Sequence, residues 1–176
     1  IKLTDIRIQG GGGSVGEQNL LIHLFNYIMT VRIRTERVDV SCSEMPRELL
    51  DGFKAATLDT LRAMKDYRPD LSFRGFGLAL NLHARLDGMT ARDYLARFVT
   101  SVPQNLGPSI GVGTIFYFGA NEGRVFTNVI ADVSAIIPDA LFVRVHAAWD
   151  AGSVTPDALM AGADAFIQRV LEGLGL

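Results

Sequence analysis

Several features are scarce in this chain, and each scarcity excludes a class of protein. Its 176 residues include one cysteine, Cys42, so an intramolecular disulfide cannot form. No apolar run reaches the roughly 18 residues of a membrane-spanning helix, and the closest, at 20–31, is interrupted by polar residues. Glycine and proline are too few for a disordered or collagenous chain. We therefore expect a single globular domain over residues 1–176, soluble and cytoplasmic.

Positive and negative charges are nearly balanced, because the chain has 17 basic and 19 acidic residues. This balance disfavours nucleic acid and anionic membranes as partners. A chain of this length buries roughly 70% of its unfolded surface, so its core alone can stabilise it. Zinc-protease, paired-cysteine and nucleophile-elbow motifs are absent, and we expect no cofactor and no metal.

A glycine run at residues 10–14 reads GGGGS. It does not fit a phosphate-binding loop, because Glu17 follows where such a loop carries lysine and serine or threonine. The run is identical to an engineered flexible linker, which would replace a native loop. A native glycine loop is the alternative, and the two interpretations stay open.

The first quarter of the chain gives a mixed pattern. Alternating apolar residues predict a strand over residues 1–9 and a hairpin or kinked strand over 31–42. Residues 14–29 are predicted to be a helix, because a capping box begins them and polar residues, including His23 and Thr30, recur at helical spacing. The segment is apolar almost all round, so an interior strand stays the alternative.

The rest of the chain alternates more clearly, and hairpin connections dominate its second half. The predicted fold class is α+β, a mostly antiparallel sheet with helices packed on one face, including a long C-terminal helix. The predicted elements are helix 46–66, strand 76–86, short helix 90–98, strands 110–118, 124–133 and 141–149, and helix 155–174.

Polar side chains collect on the strand faces opposite the apolar stripes, and they converge if those strands are neighbours. An imidazole beside a carboxylate can act as a general base or bind a metal, while arginines hold an anionic substrate. His83, His146 and Asp132 are thus the candidate catalytic residues. We favour the interpretation that these residues have no catalytic role, because the uncovered face of such a sheet is exposed to water and carries polar residues in any case.

Aromatic residues on the same face suggest pairing with another protein. The expected aromatic residues of this face are Phe116, Phe118, Phe126 and Phe142, and exposed aromatic residues are frequent in interfaces. We expect a non-enzymatic module that uses its open sheet face for self-association or for binding a protein partner or ligand. A small-molecule enzyme or metal-dependent hydrolase is the alternative. The expected ligand- or partner-binding residues are Asn81, Arg85, Asn128, Arg144, Phe126 and Phe142.

Overall fold

The computed structural model describes residues 8–12, 18–25, 27–34, 37–99 and 112–176. The chain divides into two compact units, Ile1–Leu71 and Ser72–Leu176. Each unit has its own antiparallel sheet, and helices complete the structure, which confirms the α+β class. The single domain expected over residues 1–176 stays a prediction. Among the described residues, no helix is both long and apolar enough to span a membrane.

The first unit is a four-stranded antiparallel meander with one long helix. Each strand pairs with the next one along the chain, in the order β1-β2-β3-β4. Residues 10–12 of the glycine run belong to β1, and residues 13–14 lie outside the described part of the chain. The elements are β1 (Ile8–Gly12), β2 (Gln18–Leu24), β3 (Met29–Ile33), β4 (Val38–Cys42), a 3-10 turn (Arg47–Leu49) and α1 (Leu50–Tyr67).

The helix predicted over residues 14–29 is wrong, because β2 and β3 form a hairpin there. His23 and Thr30 were expected on one helical stripe, but they face each other across the hairpin, where His23 Nδ1 lies 3.1 Å from Thr30 Oγ1. Phe25 and Tyr27 turn the chain with φ of 52° and 69°. Cross-strand pairing explains the all-round apolar pattern, since a hairpin packs apolar side chains against its partner strand as well as the core.

The predicted hairpin at 31–42 and the helix at 46–66 are confirmed by β3, β4 and α1. Phe53 and Ala56 of α1 pack against buried Met29 and Val31 in the sheet. The first unit therefore has a small core of its own between the helix and the sheet.

In the described residues, the second unit has a four-stranded antiparallel sheet with the strand order β5-β8-β7-β6 and two helices. The predicted meander of three strands is confirmed, and the long strand before it pairs with the last strand of the meander. The elements are β5 (Gly75–Arg85), α2 (Ala91–Ala96), β6 (Thr114–Phe118), β7 (Arg124–Val133), β8 (Ala140–Asp150) and α3 (Pro156–Leu174).

Both helices of this unit begin at the predicted caps. The hydroxyl of Thr90 accepts a hydrogen bond from the Asp93 amide at 3.1 Å, and that of Thr155 accepts one from the Ala158 amide at 3.2 Å. Such caps pair amides that the first helical turn leaves without a partner. The sequence signals therefore located both helix starts correctly.

The helices of the second unit cover one face of its sheet. Tyr94 and Leu95 of α2 and Phe166 of α3 pack with the apolar stripes of β7 and β8. The Tyr94 hydroxyl donates a hydrogen bond of 2.6 Å to the carbonyl of Leu174, which joins α2 to the end of α3. We call the opposite side of this sheet, formed by β5, β8, β7 and β6, the open face.

Candidate functional site

Strand register arranges the open face in rows that cross the sheet. Asn81 of β5 pairs with Arg144 of β8, which pairs with Ile130 of β7, which pairs with Ile115 of β6. Side chains directly opposite each other on neighbouring strands are about 5 Å apart at Cβ. The register therefore brings the predicted polar residues of three strands onto one continuous surface.

Arg144 lies at the centre of an ordered cluster on this surface. Its Nε donates a hydrogen bond of 2.9 Å to Asn81 Oδ1 across the strands. Its guanidinium carbon lies 5.6 Å from the centre of the Phe142 ring, and that ring lies 5.1 Å from the ring of His83. A guanidinium held by an amide and an aromatic ring is oriented before any partner arrives, which reduces the entropy lost on binding.

His83 is held by a residue that the sequence analysis did not identify, Ser134. The two side chains are 2.8 Å apart between Nδ1 and Oγ. The same Oγ accepts hydrogen bonds from the amides of Ile136 and Ile137, at 3.1 and 2.9 Å. Because these two amides donate to the hydroxyl oxygen, the hydroxyl proton is left for a hydrogen bond to His83 Nδ1.

His146 and Asn128 form the next row, together with Ala79 and Tyr117. The His146 ring meets the edge of the Phe126 ring at 5.2 Å. Asn128 Oδ1 is buried and has no hydrogen-bond partner among the described residues. A buried carbonyl oxygen without a partner is costly, so this amide is a candidate contact for a donor from a bound molecule.

The three candidate catalytic residues share the open face, but the register keeps them apart. His146 of β8 pairs with Ala79, four positions along β5 from His83, so the backbones of the two histidines are about 14 Å apart. Asp132 lies in the same row as His83 with Phe142 between them, about 10 Å away. The register therefore pairs none of the three residues directly with another.

Other local features agree with this separation. The Asp132 carboxylate accepts a hydrogen bond of 2.7 Å from the Val133 amide, and it lies against the backbone of Gly113. Among the described residues, no group of three or more His, Cys, Asp or Glu side chains could hold a metal ion. The catalytic role of His83, His146 and Asp132 stays a prediction.

The expected positions of Phe116 and Phe118 are wrong, because both lie on the helix side of β6. Phe116 packs on the core, 5.4 Å from the ring of Phe98, and stacks with Phe118 at 6.5 Å. Ile115 and Tyr117 take their place on the open face, where their exposed fractions are 49% and 76%. The segment TIFYF is apolar on both faces, so alternation alone could not show which side points to the core.

The remaining predicted binding residues lie where strand parity placed them. Phe126 is 37% exposed on the open face, next to a bulge in β7 that turns its neighbour Val125 outward. Arg85 is exposed at the end of β5, opposite Ala140 of β8. The open face therefore has aromatic residues along β7 and β8 and positive charge on β5 and β8.

Comparisons with protein-family models, with curated proteins and with solved structures gave no match for this chain. The structure defines an α+β protein, and in its second unit the described helices cover one face of the sheet.

Proposed function

We propose that the second unit is a protein-binding module whose open face packs against the same face of a second copy of the chain. The observation that carries this proposal is the exposure of Ile115, Tyr117 and Phe126 on one ordered sheet face, at 49%, 76% and 37%. Exposed apolar side chains clustered on one surface are typical of interaction sites. Aromatic residues are also enriched in interfaces.

The size of the open face suits a protein partner. Its four strands have 5 to 11 residues, and at about 4.8 Å between strands and about 3.3 Å per residue they cover roughly 600 Å². Standard interfaces bury about 800 Å² on each partner, so this face with its rim is large enough. Two sheets that pack face to face bury such surfaces at a separation of about 10 Å.

The charges on the face are complementary to those of a second copy. A two-fold axis along the strands, between β7 and β8, lays β8 of one copy over β7 of the other. Arg144 on β8 then faces Ile130 of the other copy, with Asp132 two residues further along β7. An arginine side chain spans that distance, so the symmetry forms the contact twice.

A small molecule fits this surface less well. Ligand sites are concave and enclose most of the ligand. Two depressions of the described surface lie beside α3 and at the turn between β6 and β7, away from the open face. Together with the separation of His83, His146 and Asp132, this favours a binding module over the small-molecule enzyme.

The test is sedimentation velocity over a wide concentration range, with two matched substitutions. Ile115→Lys places a charge on the open face and should weaken self-association at least about tenfold, since burying one isoleucine contributes about 1.5–3 kcal/mol. Ile136→Lys makes the same change at an isoleucine that is 76% exposed in the loop after β7, and it should have no effect. A protein that stays monomeric at every concentration, or equal effects of both substitutions, would overturn the proposal.

A charge swap tests the orientation of the two copies. Arg144→Asp and Asp132→Arg should each weaken the dimer, because each places like charges opposite each other. The double variant should recover most of the loss, because it recreates the pair with its charges exchanged. If the double variant loses as much dimer affinity as the two single variants lose together, this two-fold arrangement is wrong even if the protein dimerises.

A further inference from the structure

A narrow crevice lies beside α3 in the second unit, on the side of the sheet that the helices cover. Its volume is about 140 Å³. Trp149, Leu159 and Phe166 line it, and each is less than one-tenth exposed. Apolar cavities of about 150 Å³ hold one benzene molecule in other proteins. The crevice therefore has room for a single small aromatic ring.

Two aromatic rings form part of its wall. The Trp149 and Phe166 rings meet edge to face, with their centres 5.7 Å apart. Aromatic pairs favour edge-to-face or offset contacts, and an added ring makes further contacts of the same kind. The wall chemistry therefore favours an aromatic ring.

Gly162 of α3 lies at the exposed edge of the crevice. In a helix interior glycine is about 1 kcal/mol less favourable than alanine. A Cβ atom at Gly162 would have no neighbouring atom within 4 Å, so packing does not require glycine there. Its missing side chain leaves free space at the edge of the crevice, and a larger residue would occupy it.

Two arginines and one glutamate surround the mouth. Glu122 Oε2 lies 3.4 Å from Arg124 Nη2 and 3.9 Å from Arg169 Nη2. The Arg124 guanidinium carbon lies 4.9 Å from the centre of the Phe166 ring, so one cation is fixed directly over the apolar wall. Two positive charges against one negative charge leave the mouth with an excess of positive charge.

We propose that this crevice binds a small aromatic carboxylate, with its ring against Trp149 and Phe166 and its carboxylate at Arg124 and Arg169. The ring matches the volume and the apolar wall, and the carboxylate matches the charge at the mouth. Among the described residues, Glu122 has two long ion pairs, and it is 65% exposed, so a ligand carboxylate can share its arginines. This site is independent of the open face and of self-association.

Phenylacetate is the probe, and the protein supplies its own reporter. Trp149 is the only tryptophan of the chain, so quenching of its fluorescence reports occupancy of the crevice. Saturable quenching by phenylacetate is expected, with an affinity at least about tenfold above that of neutral phenylacetamide. Arg169→Gln changes a side chain that is 62% exposed, and it should weaken phenylacetate about threefold and leave phenylacetamide unchanged.

Two substitutions on α3 locate the site. Gly162→Leu fills the edge of the crevice and should weaken both probes at least about tenfold. Ala161→Leu makes a similar change at the next residue, which is exposed and does not line the crevice, and it should bind like the original protein. Ala158→Leu, on the same edge as Gly162, replaces Gly162→Leu if that variant does not unfold cooperatively.

Three results would overturn the proposal. Quenching by phenylacetate that does not saturate shows that the crevice holds no such ligand. Equal affinities for phenylacetate and phenylacetamide show that the arginines do not bind the carboxylate. Unchanged affinity in Gly162→Leu and Ala158→Leu shows that the probe binds elsewhere.

Discussion

Replacing Ser134 by alanine removes three hydrogen bonds with one oxygen atom. The Ser134 hydroxyl accepts from the amides of Ile136 and Ile137 and donates to His83 Nδ1. The residue is 8% exposed, so little water reaches the groups that lose their partner. At about 1 kcal/mol for each net hydrogen bond, Ser134→Ala should lower the free energy of unfolding by about 2–3 kcal/mol.

The assay is denaturant unfolding followed by the fluorescence of Trp149, which lies in the same unit as Ser134. Ser72→Ala, at an exposed serine before β5, serves as the control and should change the free energy of unfolding by less than about 0.5 kcal/mol. If Ser134→Ala, like the control, lowered the free energy of unfolding by less than about 0.5 kcal/mol, water would replace the hydroxyl and the assigned hydrogen bonds would be refuted.

A double-mutant cycle isolates the contact between Ser134 and His83. His83→Ala and the double variant should give a coupling energy of about 0.5–1.5 kcal/mol, because the donated hydrogen bond is counted in both single variants. A coupling energy near zero would show that the two side chains share no stabilising hydrogen bond.

Two further predictions concern the backbone of β5 and the junction of α2 and α3. A Cβ atom at Gly75 would lie 2.6 Å from the Trp149 carbonyl oxygen, whereas a Cβ atom at Gly77 would have its nearest atom at 3.8 Å. In the same unfolding assay, Gly75→Ala should therefore lower the free energy of unfolding by about 1–3 kcal/mol, and Gly77→Ala should lower it by much less. Burial raises the pKa of Tyr94, so the folded state favours the protonated phenol that donates to Leu174. This contribution is complete below the ordinary pKa of about 10 and is lost as the pH rises through the folded value, and Tyr94→Phe should abolish that alkaline loss of stability.

The open face could be predicted from the sequence because three of its strands alternate cleanly. Apolar stripes at 76–86, 124–133 and 141–149 assigned the two sides of β5, β7 and β8, and short turns implied that successive strands pair. This placed Arg144 and Phe126 on the correct face without knowledge of the structure.

Two parts of the site lay outside the reach of local patterns. β6 is apolar on both sides, so its parity follows only from its pairing with β7, and Ile115 and Tyr117 were missed. Ser134 and His83 are 51 residues apart in sequence, and only the register of β5, β8 and β7 brings them together.

The hairpin of β2 and β3 in the first unit was also missed, because its cross-strand pair of His23 and Thr30 has a spacing that also fits a helix.

The two proposed sites lie on opposite sides of one sheet, and this separation makes each a control for the other. The open face is formed by side chains that point away from α3, whereas Trp149 of β8 points toward α3 and Phe166 of α3 packs against it. Ile115→Lys should therefore weaken self-association without changing the affinity for phenylacetate, and Gly162→Leu should do the reverse. If either substitution changed both measurements by similar factors, binding and association would be coupled through the buried strands β7 and β8, and neither surface would act alone.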